Sequence, residues 1–287
     1  MNSDGYWWSN DGLRLHYRDY GGAQGACNGR PPILCLPGLT RNARDFEGFA
    51  TRLSSAWRVL AIDLRGRGES GFAKDPITYV PLTYTQDIER LLLTLEIDRF
   101  VAVGTSLGGI VAMLLAATHQ GRIAGAVLND VGPEIEASGL KRLRGLVGRA
   151  ASWPTWLHAA RTLADRDGAI YPNYALSDWL AMAKRLYRLT PAGRIVPDYD
   201  ARIAEPFRLP GGEAGIDLWP AFDALGETPT LIVRGANSDL LSASAATAMA
   251  ERLPNAQLAT IAEVGHAPTL DEPGAVAAID ELLTRVR

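Results

Sequence analysis

Only four histidines and two cysteines occur in 287 residues, and that scarcity removes whole classes of chemistry. Cys27 and Cys35 are too few for a disulfide framework or a zinc cage, and no His/Cys cluster has metal-ligand spacing, so no metal is expected. Cys35 falls in an apolar run where a small buried thiol packs well, and both cysteines are read as reduced and structural. No apolar stretch approaches the roughly 18 residues of a membrane span. The opening MNSDGYWWSNDG has no basic segment followed by an apolar one. A cytoplasmic location without membrane contact is therefore expected. Charge of one sign is missing too. The 29 Lys and Arg against 32 Asp and Glu leave -3, with both signs mixed along the chain, so no basic face for nucleic acid is implied. A small-molecule substrate is the default partner, and the pattern leaves the oligomeric state open. Without a Gly-rich phosphate loop or a dinucleotide fingerprint, no cofactor is expected either.

What is present is a hydrophobic content of 47%, enough for a substantial core, arranged as short apolar runs punctuated by Gly and Pro. Tyr6 to Ser9 and Leu13 to Tyr20 flank the turn residues Asn10, Asp11 and Gly12. The second run alternates Leu13, Leu15 and Tyr17 with Arg14, His16 and Arg18, which predicts an antiparallel hairpin at a sheet edge. Further runs follow at 33–36, 58–63, 100–104, 126–129, 230–234 and 257–261, several of them continuously apolar and so expected to be buried on both faces. Helical spacing intervenes, as in Asp87, Leu91 and Leu95, or Ala245, Met249 and Leu253 after Ser242. Alternating strands and helices predict an α/β fold, a mostly parallel sheet with helices on both faces.

One interval breaks the alternation. From about Gly132 to Thr228 no comparable strand is evident, and the sequence reads as helices separated by Pro and Gly. The expected organisation is a core made of 1–131 and 229–287 with a helical cap inserted at 132–228. Insertions after a strand's carboxyl end commonly cover a site. Trp153, Trp156, Tyr171 and Trp179 are candidate substrate contacts there, and Tyr174, Tyr187, Tyr199 and Trp219 add to the same aromatic concentration. The alternative is that these rings form the cap's own core. The run KRLRGLVGR at 141–149 offers cations for a substrate carboxylate, but Leu140, Leu143 and Val147 make one helical stripe with the basic residues mostly off it, which favours a solvated face.

The most informative stretch is VAVGTSLGGIV, residues 101–111. A strand ends near Gly104 and helical spacing begins at Leu107, so Ser106 occupies the turn between them. A turn that tight brings strand and helix too close for a Cβ at 104 or 108, and glycine at both removes the collision. Ser106 is thereby held out at the sheet's carboxyl edge above a helix N-terminus, a setting suited to a nucleophile.

With these residues in place, the sequence resembles the α/β-hydrolase superfamily along nearly its whole length, which implies an eight-stranded sheet and an esterase-like activity. LPGLTRN, residues 36–42, lies where the superfamily usually has His-Gly before an oxyanion-hole residue. Pro37 stands in place of that His, while Gly38 and Leu39 keep the turn. The resemblance assigns the oxyanion hole to the backbone N–H groups of Leu39 and Leu107. DLRGRGES, residues 63–70, resembles a loop whose role is architectural. His266, in EVGHAPTLDEP after the last strand, lies where the resemblance places the base, while His16, His119 and His158 read as surface or packing residues. For the acid, Asp239 in RGANSDLL follows the order Ser, Asp, His and is favoured over Asp130 in LNDVGP, with Asp63 third.

The implied reaction is hydrolysis of a carboxylic ester or lactone through an acyl-enzyme, and an aromatic cap suggests a small apolar or aromatic substrate. Serine at the elbow disfavours the alkyl displacements that relatives with Asp there perform. Carbon-carbon hydrolysis of a ring-cleavage diketone is the second reading, and cofactor-free perhydrolysis also uses such a triad. A non-catalytic ligand-binding protein of this fold is the alternative from another class.

Overall fold

The structure is a computed structural model that describes residues 2–21, 29–119, 121–206 and 217–286, so Cys27 lies outside the described residues. Strands β1 (Asn2–Trp8) and β2 (Arg14–Tyr20) form the expected hairpin, with β1 at the sheet edge. They are followed by β3 (Ile33–Leu36), β4 (Val59–Asp63), β5 (Phe100–Thr105) and β6 (Ile123–Asn129). Two further strands, which would count ninth and tenth in chain order, complete the sheet after an inserted segment.

That segment carries the short antiparallel hairpin β7 (Tyr187–Leu189) and β8 (Ile195–Pro197). The sequence reading of an all-helical insertion is corrected here, because strands of three residues are too short to leave a periodic pattern. The completing strands are β9 (Thr230–Gly235) and β10 (Ala256–Ile261). The eight-stranded order is β1-β2-β4-β3-β5-β6-β9-β10, antiparallel across β1, β2 and β4 and parallel from β4 onward.

The continuous apolar runs divide by period two between the sheet's faces, as buried parallel strands require. Leu34, Leu36, Ala102, Leu128 and Ile232 join one core with α2 (Pro81–Thr94), α3 (Leu107–Thr118) and α8 (Ala243–Arg252). Ile33, Cys35, Val101, Val103, Val127 and Val233 join the other with α1 (Glu47–Leu53) and α9 (Pro273–Thr284). Helix α3 is buried nearly all round, which its apolar composition anticipates.

Between β6 and β9 come α4 (Ala137–Leu146), α5 (Trp156–Asp167), α6 (Leu176–Leu186) and α7 (Trp219–Asp223). Helices α5 and α6 with the β7–β8 hairpin have a core of their own, including Ala159, Leu163, Tyr171, Trp179, Met182 and Tyr187, while Ala221 and Phe222 of α7 join the sheet's core. The segment is pinned to the sheet's loops. Gly68 N–H donates to Asp198 O at 3.1 Å, Asp200 N–H to Gly66 O at 2.7 Å, and Asn42 Nδ2 to Arg185 O at 2.9 Å. Among the described residues no helix is long and apolar enough to cross a membrane.

Candidate active site

Ser106 caps α3 with φ 53° and ψ -118°, a left-handed conformation that a side-chain-bearing residue adopts only under constraint. The constraint is the close approach of its neighbours. A Cβ on Gly108 would overlap the Leu36 carbonyl, and one on Gly104 would overlap the backbone of Gly108 and Gly109. The Ser106 N–H is tied to Asn129 O at 3.0 Å, which fixes the turn against β6.

His266 arrives on the loop between β10 and α9. Its Nε2 lies 3.0 Å from Ser106 Oγ and its Nδ1 lies 2.7 Å from Asp130 Oδ2. The loop is positioned from two sides, by Asn129 Nδ2 donating to Pro268 O at 2.8 Å and by Tyr171 OH donating to Ala267 O at 2.7 Å. Asp130 is fully buried at the end of β6, itself at φ 55°. Its carboxylate also accepts from Gly235 N–H at 2.9 Å and Ser238 Oγ at 2.6 Å. Three acceptor contacts hold one rotamer and compensate the burial of the charge.

The expectation that Asp239 supplies the acid is corrected by this geometry. The Asp239 carboxylate turns away to Arg142 on α4, with Nε and Nη2 at 2.6 and 2.7 Å, and that pairing holds its carboxyl below the usual carboxylate range. The last residue of β9, Gly235, and Ser238 in the loop after it donate to Asp130 instead. Asp63 is fully engaged elsewhere, by His16 Nδ1 at 2.7 Å and by the N–H groups of Ala43 and Glu69. His119 pairs with Glu89 at 2.8 Å and His158 with Thr155, both away from the site.

A cavity of about 380 Å³ opens over Ser106 and His266. Gly38 and Leu39 form one wall, and a Cβ at Gly38 would stand 3.7 Å from Ser106 Cβ, so the 36–42 loop lies against the nucleophile. Leu107 opens α3, where the first N–H groups have no intrahelical acceptor. Leu39 thus borders the cavity beside Ser106, and Leu107 follows Ser106 directly in the chain.

Of the four candidate aromatic contacts, Trp153 and Tyr171 line the cavity. Trp156 and Trp179 do not. Trp179 is buried in the inserted segment's own core against Tyr171 and Tyr174, and Trp156 packs on the same cluster. Tyr187 and Tyr199 line the cavity in their place. Burial pushes the Tyr187 hydroxyl pKa up to about 12 and raises that of Tyr171 as well, so both hydroxyls stay neutral near pH 7. The walls also hold Arg41, Arg142, Arg149, Arg166 and Arg185. Two of these come from the run 141–149, where Lys141 and Arg149 are exposed as a solvated face requires, while Arg142 and Arg149 also border the cavity. The signal was present in the sequence, but the helical stripe of Leu140 and Leu143 did not reveal that the insertion folds the helix over the cavity. Among the described residues no cluster of His, Cys, Asp or Glu could hold a metal ion.

Comparison with known proteins fits this architecture. An alpha/beta hydrolase from Novosphingobium aromaticivorans superposes with a TM-score of 0.94, at 56% identity over 99% of both chains. A 3-hydroxybutyrate-oligomer hydrolase of Cupriavidus necator is 31% identical over 261 residues, 88% of each protein. A 2-(acetamidomethylene)succinate hydrolase of Mesorhizobium japonicum is 29% identical across 82% of this chain and 81% of its own. The family described as alpha/beta hydrolase fold matches residues 31–273, and with that match over most of its length the chain belongs to the α/β-hydrolase family.

Proposed function

We propose that the protein is a serine hydrolase that cleaves carboxylic esters through an acyl-enzyme, with Ser106 as nucleophile, His266 as base and Asp130 as the acid that orients it. The observation that carries this reading is the continuous relay from Ser106 Oγ through both nitrogens of His266 to Asp130, at 3.0 and 2.7 Å, on the floor of a cavity. In the first half-reaction Ser106 Oγ attacks the acyl carbon while its proton passes to His266 Nε2. Asp130 stabilises the imidazolium, and the N–H groups of Leu39 and Leu107 receive the oxyanion. The imidazolium then protonates the departing alkoxide. Water, deprotonated by His266, releases the acid and restores Ser106. The inserted segment 132–228 acts as a cap that shapes the substrate pocket. The relative that hydrolyses 3-hydroxybutyrate oligomers places hydroxyacid oligoesters among the substrates to try first.

The test is active-site labelling followed by a substrate panel. A fluorophosphonate should add one adduct mass to the wild-type chain and none to Ser106→Ala. Nitrophenyl esters of graded acyl length and hydroxybutyrate oligomers should be hydrolysed by the wild type alone. Activity confined to a vinylogous 1,5-diketone would overturn ester hydrolysis in favour of carbon-carbon cleavage, and absence of labelling would overturn the nucleophile itself.

A further inference from the structure

The cavity walls hold more guanidinium than the carboxylates beside them can neutralise. Of the five arginines, Arg41 pairs with Asp45, Arg142 with Asp239 and Arg166 with Asp167. Arg149 and Arg185 have no carboxylate within ion-pair distance among the described residues, although both line the same cavity as Ser106. Arg149 is exposed, in the stretch between α4 and Trp153. Arg185, near the end of α6, is half-buried, and its Nε is shut off from solvent with no acceptor. Its position is fixed by its own backbone, because Arg185 O accepts from Asn42 Nδ2 at 2.9 Å and Arg44 Nε at 3.0 Å.

A guanidinium on an anchored stretch of backbone, with no carboxylate in ion-pair range and on the wall of the cavity that holds Ser106, is a partner for a planar anion with two acceptor oxygens. Arg185 also borders an outer groove that contains Asp178, Glu263, Asp271 and Glu272. Those acids repel an anion from that side, which leaves the catalytic cavity as the place where one is accommodated. Burial pushes the Asp271 carboxyl up and Arg185 opposes that push, yet no ion pair joins the two. The apolar and aromatic lining supplied by Leu143, Leu146, Trp153 and Tyr187 is left for the carbon chain between the anion and the ester.

We propose that the substrate is an ester that also bears a free carboxylate, and that Arg185, with Arg149, binds that carboxylate while the ester carbonyl lies at Ser106. The proposal rests on Ser106 being the nucleophile of an ester hydrolase, so its test includes a binding arm that needs no turnover.

In that arm, monomethyl glutarate and methyl pentanoate are titrated by calorimetry against Ser106→Ala protein. The carboxylate ligand should bind about tenfold tighter or better. Replacing both arginines, Arg149→Met with Arg185→Met, should erase the difference, whereas Arg185→Lys should keep part of it. In the kinetic arm, the wild-type kcat/KM for mono-4-nitrophenyl glutarate over 4-nitrophenyl pentanoate should exceed one by a similar factor, carried mainly by KM. That ratio should fall toward one in the double variant and persist in Arg252→Gln, whose guanidinium pairs with Asp223 outside the cavity. Equal binding of the two ligands, or a preference that survives loss of both arginines, overturns the anchor. A binding preference that disappears in the double variant, seen in a protein that cleaves neither ester, supports the anchor and overturns the esterase reading separately.

Discussion

Asp130 Oδ2 lies 2.7 Å from His266 Nδ1, while Asp239, the residue directly after the Asp130 donor Ser238, is locked to Arg142. The two aspartates follow adjacent parallel strands, β6 and β9, and differ in direction rather than in neighbourhood. Asp130→Asn should lower kcat by about 10³- to 10⁴-fold, because the imidazole loses both its tautomer and its counter-charge. Asp239→Asn removes a half-exposed ion pair and should stay within about tenfold of wild type. Esterase kinetics on the two variants at matched folding, judged by circular dichroism, separate the roles.

Gly108 marks the tightest approach in the elbow, where a Cβ would overlap the Leu36 carbonyl. Neither β3 nor α3 can retreat, because both are packed into the buried core. Gly108→Ala should therefore destabilise the fold by about 3 kcal/mol or more, read as a lower urea midpoint with unchanged slope. Gly145→Ala, in α4 with open space around its Cα, should have a far smaller effect on that midpoint.

Arg67 connects the loop after β4 to the 36–42 loop beside Ser106. Fully buried, it donates from Nε to Leu39 O at 2.9 Å and from Nη1 to Arg65 O at 2.6 Å and Tyr84 OH at 3.0 Å. It touches no reacting atom and acts by positioning the Leu39 backbone. Arg67→Lys keeps the charge but loses the fork, so the loop should relax and kcat should fall on the order of 10²-fold. The pH dependence of kcat should keep its shape, since the base and acid are untouched. A displaced pH profile would show that Arg67 acts through His266 instead.

His16 gives the hairpin a pH-dependent hold on the sheet. Buried on β2, it contacts Asp63 at 2.7 Å and Asp4 at 3.1 Å. Burial alone would disfavour its charge, but the two carboxylates outweigh burial and raise its pKa. A group that binds its proton more tightly when folded stabilises the fold fully below its unfolded pKa, near 6.5, and loses that contribution as pH climbs through the raised folded value. The stability gap between wild type and His16→Gln should thus be widest near about pH 6 and narrow as pH rises above about 6.5. Urea midpoints across that range measure it, and a gap that widens with pH would reverse the sign of the coupling.

Much of this architecture is written in local pattern. The runs at 33–36, 100–104 and 230–234 are strands within a residue of their expected limits, because a strand buried on both faces must be apolar without interruption. The Ser106 turn was legible because it needs glycine at 104 and 108, a steric demand carried by adjacent residues, whereas His266 was singled out through the family resemblance, its approach to Ser106 spanning 160 positions. The strands and the Ser106 turn depend on neighbours in the chain. The choice between Asp130 and Asp239, the retreat of Trp156 and Trp179 into the inserted segment's own core, and the folding of Arg142 and Arg149 over the cavity depend on side-chain direction after long-range packing. Sequence determined which residues could reach the site; the tertiary structure decided which of them face it, because rotamers are settled by packing partners such as Arg142 for Asp239, 97 positions away, and His266 for Asp130, 136 positions away.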